Sequence, residues 1–215
     1  MIAGPNGSGK TTLTRWLRST GFDLGEYINA DDIAAELVGD PAEVSRTAQR
    51  LAEEARQSCL ARGVSFAFET VMSHPSKVEF LKQAKTLGYF NILFFVGVED
   101  PRINVDRVAQ RVAEGGHDVP TDRIVHRYER TMALLPQAVY ASDRTVLFDN
   151  SYADPGFGAD FEPFADITVH DGKIEYMELR QLGAAGGVPE WSEALLLLFM
   201  SPEHLRRLRT QWAVP

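Results

Sequence analysis

The run Gly4-Pro5-Asn6-Gly7-Ser8-Gly9-Lys10-Thr11-Thr12 carries the most explicit chemistry in the chain. It fits G-x-x-x-x-G-K-[ST] at each fixed position, the pattern of a loop that wraps a chain of phosphates. Glycine lacks a Cβ, so successive backbone N–H groups can turn inward toward an anion. Lys10 supplies a mobile positive charge for the β- and γ-phosphates, and the Thr11 hydroxyl is a candidate Mg²⁺ ligand. Three carboxylates stand where they could act on a bound phosphate. Asp31 and Asp32 follow the short apolar stretch Tyr27–Asn29, and Glu69, with Thr70, follows Val64–Phe68. A carboxylate placed so can orient a metal ion or take a proton from an attacking hydroxyl. Asp31-Asp32 also suit the N-cap of a helix over Ile33–Leu37. Asp149-Asn150-Ser151 is a weaker candidate, because the same triplet is ordinary turn chemistry.

Arginines form a second group. Arg107 and Arg111 share one face of a predicted helix, and Arg123, Arg127 and Arg130 lie on the next, with Gly115-Gly116-His117 between. Guanidinium forks on such a hairpin could stabilise the charge that spreads over a transferring phosphoryl group, and a closing lid would exclude water. The alternative is a solvated face paired with Asp106, Glu114 and Glu129. His117 by itself reads as a loop histidine, without a second ligand at zinc spacing.

The elements that must hold these residues alternate. Val64–Phe68, Asn91–Val98 and Thr145–Phe148 are apolar runs of the kind found in buried parallel strands, with Tyr27–Asn29 a weaker fourth. Helical patterns fall at Thr11–Thr20, Pro41–Arg62, Lys77–Leu87, Asn104–Ala113 and Thr121–Leu135. That order predicts an α/β fold with a mostly parallel sheet, whose working residues gather beyond the strands' C-terminal ends. Only Met1-Ile2-Ala3 precede the loop, so the first strand is expected to be stubby or to begin upstream of Met1. After Asn150 the character changes. Ile167–Leu179 reads as a hairpin turning at Asp171-Gly172, and Glu190–Trp212 as a last amphipathic segment, with Ala194–Met200 a core or interface helix. The expected organisation is a core over 1–151, including a lid over 104–135, and an extension of the same domain over 152–215.

The 215 residues are 44% hydrophobic, ample for one core, and the net charge of −8 argues against nucleic acid or an anionic membrane as the main partner. A single Cys59 rules out an internal disulfide framework and suits a reducing compartment. No apolar run approaches the length of a membrane span and no leader is evident, so a cytoplasmic protein is expected.

Taken in order, the motifs resemble a known family. They are Ala3–Thr12, Ile28-Asn29-Ala30-Asp31-Asp32-Ile33-Ala34, Phe68-Glu69-Thr70-Val71-Met72-Ser73, the Arg107–Pro120 stretch with Gly115-Gly116-His117, Arg127-Tyr128 and Asp149-Asn150-Ser151. Together they are similar to the zeta-toxin / UDP-N-acetylglucosamine kinase family of P-loop proteins over about residues 1–151. Gly-Val-Pro-Glu-Trp at 187–191 extends the likeness. The resemblance implies a three-layer P-loop fold of adenylate-kinase-like topology and an ATP- or GTP-dependent enzyme, using Mg²⁺, that phosphorylates a sugar hydroxyl of a UDP-amino sugar. It implies Gly4 to Thr12 on the nucleotide, Lys10 and Thr11 on phosphates and metal, and Asp31 as the base. Asp32, Glu69 and Thr70 would face the acceptor, Arg111 and Arg127 would clamp the transferring phosphate, and Arg107 and His117 would assist. An antitoxin is an implied partner. The alternatives are a kinase for another small hydroxyl substrate, or a nucleotide-binding regulatory module governed by an antitoxin.

Overall fold

The computed structural model describes residues 1–116, 118–152, 162–180 and 188–212, with the backbone alone at 209 and 212. Five strands run parallel: β1 (Ile2–Ala3), β2 (Glu26–Ile28), β3 (Phe66–Thr70), β4 (Ile92–Gly97) and β5 (Arg144–Asp149). Two more, β6 (Pro163–His170) and β7 (Lys173–Leu179), are added antiparallel beyond β5. The order across the sheet is β2-β3-β1-β4-β5-β6-β7. β1 therefore lies between β3 and β4, although it is only two residues long. Its register sets Ile2 beside Glu69 and Ala3 beside Thr70, so the phosphate-binding loop and the end of β3 leave the sheet side by side.

Alternation along the strands divides the core. Phe94, Val96, Val146 and Phe148 face one way and meet Leu13 and Leu17 of helix α1 (Lys10–Ser19). Leu93, Phe95 and Leu147 face the other way, into a larger cluster. That layer takes residues from α3 (Pro41–Arg62), α4 (Ser76–Thr86) and α6 (Thr121–Ala141). The period of two in a sheet thus buries both faces of the central strands. α2 (Ala30–Ala35) packs on α3, and α5 (Pro101–Ala113) packs on α6. No helix among the described residues is long and apolar enough to cross a membrane.

Several local expectations shift. Asp31 and Asp32 do not cap a helix over Ile33–Leu37. The helix starts at Ala30, and its N-cap is Asn29, whose side chain accepts from the Asp31 N–H at 3.0 Å. The β6–β7 turn does fall at Asp171-Gly172, both at positive φ (48° and 69°), as a tight two-residue hairpin requires. Ala194–Met200 is not one helix. After a 3₁₀ turn at Glu190–Ser192, α7 covers Glu193–Leu196 alone and α8 begins at Pro202 (Pro202–Trp212). Leu195 and Leu196 are buried, whereas Leu197 and Leu198 are exposed.

Candidate active site

The loop from β1 into α1 has the backbone its composition predicts. Gly4, Gly7 and Gly9 all have positive φ, and Gly9 ends the loop in the left-handed region just ahead of Lys10. A Cβ on Gly4 would stand 2.3 Å from the Val96 carbonyl oxygen, and one on Gly7 2.9 Å from that of Asn104. The glycines are therefore needed for close packing as well as for conformation. The Lys10 ammonium folds back and donates to the Pro5 carbonyl at 2.8 Å. Burial lowers its pKa to about 8, against the opposing charges of Glu69 and Asp31, while Arg111 and Arg127 lower it further. Four residues read from separate motifs thus act on one ammonium group.

Glu69 is the hub on the β3 side. Its carboxylate accepts from the Thr11 hydroxyl at 3.0 Å, from Thr14 at 2.6 Å and from the Tyr27 phenol at 2.6 Å. Asn29 donates to the Tyr27 oxygen at 3.3 Å, and the Arg18 guanidinium lies 4.4 Å from the centre of the Tyr27 ring. Burial and the Glu69 hydrogen bond push the Tyr27 pKa upward, so the phenol remains a proton donor to Glu69. Asp32 also has a raised pKa, from burial first and then from the charges of Glu69 and Asp31. The Thr70 hydroxyl accepts from the Met72 N–H at 3.1 Å and fixes the chain as it leaves β3.

The helices α5 and α6 close over the loop. Asn104, fully buried on α5, donates to the Asn6 carbonyl, and Arg127 on α6 reaches the Asn6 side-chain oxygen at 3.4 Å. Arg127 has its pKa lowered by burial, then by Arg123. Burial also lowers that of Arg107, with Asp149 opposing. α5 ends in a tight cap, where the Gly116 N–H donates to the Arg111 carbonyl at 2.8 Å. The predicted hinge residues are thus folded onto the arm that carries the arginines. His117 lies outside the described residues.

Among the described residues, five buried side-chain polar atoms have no hydrogen-bond partner, and three of them, Ser8 Oγ, Asn104 Oδ1 and Arg107 Nη1, belong to the loop or to the helix packed on it. Buried polar atoms without partners are rare. Two of the three, the Ser8 hydroxyl and Arg107 Nη1, can donate to an anionic ligand, whereas the Asn104 oxygen can only accept. Among the described residues no three His, Cys, Asp or Glu side chains could hold a metal by themselves. A nucleotide-borne Mg²⁺ needs only one or two protein oxygens beside the phosphates, and the Thr11–Glu69 pair fits that requirement.

Sequence reading found the loop, the acids and the arginines but passed over Thr14, Tyr27 and Asn104 as contributors. Thr14 was within reach, since it lies four residues after Lys10 on the same helix face. Tyr27 and Asn104 carried no local signal, because their partners are 42 and 98 residues away.

Residues 1–135 match the AAA_33 family, described as an AAA domain. An uncharacterized protein of Haemophilus influenzae is 32% identical over 127 residues, spanning 58% of this chain and 88% of that protein. Among solved structures, the AvrRxo1-ORF1:AvrRxo1-ORF2 complex with sulphate ions superposes with a TM-score of 0.60 at 17% identity, over 97% of this chain and 74% of that one. The same pair with ATP gives 0.59 at 17% identity, with the same coverage of 97% and 74%. The PezAT chromosomal toxin-antitoxin system of Streptococcus pneumoniae gives 0.54 at 15%, over 98% and 82%. At these identities the likeness is one of fold.

Proposed function

The chain belongs to the AAA_33 family of AAA domains, and on that premise we propose that it is a kinase moving the γ-phosphoryl group of ATP or GTP onto a hydroxyl of a small acceptor. The acceptor proposed is a UDP-amino sugar, following the zeta-toxin resemblance. The observation that carries the reading is that the loop meets Glu69 at Thr11 and Arg127 at Asn6, while the charges of Asp31 and Arg111 also act on Lys10. A loop that only held nucleotide would need the lysine. It would not need an acid beyond β2 and cations from two further helices at the same point. The AvrRxo1 pair solved with ATP has the same fold, which adds support for nucleotide in the loop.

In this mechanism the inward N–H groups of the loop and the Lys10 ammonium bind the phosphates. Thr11 and Glu69 would hold Mg²⁺, which would neutralise phosphate charge. Asp31 takes the proton of the acceptor hydroxyl as its oxygen bonds to the γ-phosphorus and the bond to the leaving ADP or GDP breaks. Arg111 and Arg127 stabilise the charge on the oxygens of the group in flight. Asp32, Thr70 and Arg107 face the acceptor, with Glu69 between acceptor and metal, and the resemblance alone assigns His117 to the same role. A polypeptide inhibitor of the antitoxin kind is the protein partner proposed, by analogy with PezAT.

The test is phosphotransfer from ATP and GTP to a panel of UDP-sugars. Asp31→Asn is expected to lower kcat by about 10²–10⁴-fold, the usual worth of a general base, with nucleotide affinity unchanged. Full activity in that variant removes Asp31 from the role. Tight nucleotide binding without transfer to any acceptor would favour the regulatory module instead.

A further inference from the structure

One motif is left over by this mechanism, the Trp191 segment, which lies beyond the 1–135 region that matches the family. The 3₁₀ turn at Glu190–Ser192 brings the chain back to the C-terminal ends of β4 and β5. There the Trp191 indole lies directly on Gly97, where an added Cβ would sit 2.4 Å from the ring. Phe95 and Phe164 flank it, with ring centroids 5.6 and 5.4 Å away. The indole N–H, which needs a partner when enclosed, donates to Asp149 Oδ1 at 2.8 Å. The Ser151 hydroxyl donates to the same oxygen at 2.6 Å and accepts from the Glu99 N–H at 2.8 Å. The Glu99 side chain in turn accepts from the Glu190 N–H at 3.0 Å. The network closes on itself around Asn150.

Asn150 is the link to the loop. Its N–H donates to the Gly97 carbonyl at 2.9 Å, and its side chain donates to the Ser8 carbonyl at 2.8 Å. The Asp149 carboxylate also favours the charged form of Arg107, whose Nη1 is buried without a hydrogen-bond partner. Through Asp149 and its neighbour Asn150, the docked indole is thus linked to the backbone of the phosphate-binding loop.

We infer that Trp191 is a positioning residue of the nucleotide site, holding Asp149 and Asn150 so that the Ser8 backbone is set before the phosphates arrive. The C-terminal segment is on this view a working part of the site. The inference rests on the nucleotide-binding reading above and deepens it. By linkage, docking of Trp191 and binding of nucleotide favour each other by the same factor.

Calorimetry with ATP and Mg²⁺ on the intact chain tests it. Trp191→Phe keeps the ring and loses the N–H, and Gly97→Ala displaces the indole. Each is expected to weaken ATP binding by about fivefold, within the range for a residue acting through others. If Trp191 acts through Asn150, the Trp191→Phe/Asn150→Ala double variant binds no more weakly than the worse single variant. The KM for the acceptor stays unchanged. Additive losses, or variants that melt normally and bind like wild type, overturn the inference. A wild type that binds no ATP overturns the nucleotide reading itself, a separate outcome. Should the variants fail to fold, hydrogen exchange on wild type decides. Amides of residues 188–196 exchange more slowly with ATP if the coupling exists and at the same rate if it does not.

Discussion

Lys10 is the residue whose surroundings make the sharpest claim. With its pKa lowered to about 8 by burial, the unliganded protein starts to lose this charge just above neutrality. Phosphates bind the ammonium form, so ATP affinity is expected to fall as pH rises past about 8. Binding there takes up a proton, which calorimetry in buffers of different ionisation heat detects. The sign for stability is opposite. The folded pKa lies below the 10.5 of an ordinary lysine, so the cost of burying the cation is complete below pH 8 and relieved as pH climbs toward 10.5. Lys10→Arg, permanently charged, is expected to flatten the affinity profile.

Tyr27 makes a second claim at this scale. Its hydroxyl holds one Glu69 oxygen while the other receives Thr11. Partners behind a metal ligand tune it, so Tyr27→Phe is expected to raise the Mg²⁺ concentration for half-maximal transfer by about tenfold. ATP binding measured without Mg²⁺ should not change. Equal Mg²⁺ dependence in the two proteins removes Tyr27 from that role.

At the scale of elements, α2 is six residues long, with none of them buried, and its Asn29 cap sets its start. Asn29→Ala is expected to cost about 1 kcal/mol in denaturant unfolding and to lower kcat more than nucleotide affinity, because Asp31 rides on that helix. The structure also shows why the sequence was legible here only in part. Pro41–Arg62 was readable end to end because Asp40, Pro41 and Gly63 punctuate it. Asp31-Asp32 mislead in sequence, because acids in a first turn resemble a cap and Asn29 reads as the end of a strand. The apolar run at 194–200 looked helical by composition. Its exposed Leu197 and Leu198 have no periodic reason to be apolar, and the break before Pro202 is a tertiary choice.

At the scale of the molecule, strand existence was legible from apolar runs, but strand order was not. Insertion of β1 between β3 and β4 is long-range pairing that no window of sequence encodes, and the meeting of Glu69 with Thr11 depends on it. The charge cluster behind β3 was equally hidden. Arg56, 6% exposed, lies 4.9 Å from the centre of the Phe68 ring and pairs with Glu53, which Lys77 also meets at 3.3 Å. Burial would raise the Glu53 pKa, but the Arg56 hydrogen bond and both cations overcome it and hold the group at about 2. A depressed carboxylate stabilises above its ordinary 4.5 and loses that contribution as pH falls toward 2. Glu53→Gln is therefore expected to flatten the dependence of Tm on pH between 4.5 and 2, and an unchanged slope refutes the assignment.

The strand order has one more consequence, for how copies of this protein treat each other. An open sheet presents a row of free peptide groups at each margin, and a long apolar strand there recruits foreign strands into fibres. Here the most apolar strand, β4, is central, and the margins of the described sheet are β2 and β7. β2 has three residues, and its Glu26 is gripped bidentately by Arg62 at 2.8 and 2.6 Å. β7 shows Lys173, Glu175 and Tyr176 to solvent. A strand approaching either margin would have to strip water from charge, so the topology that builds the site also guards the folded chain against aggregation.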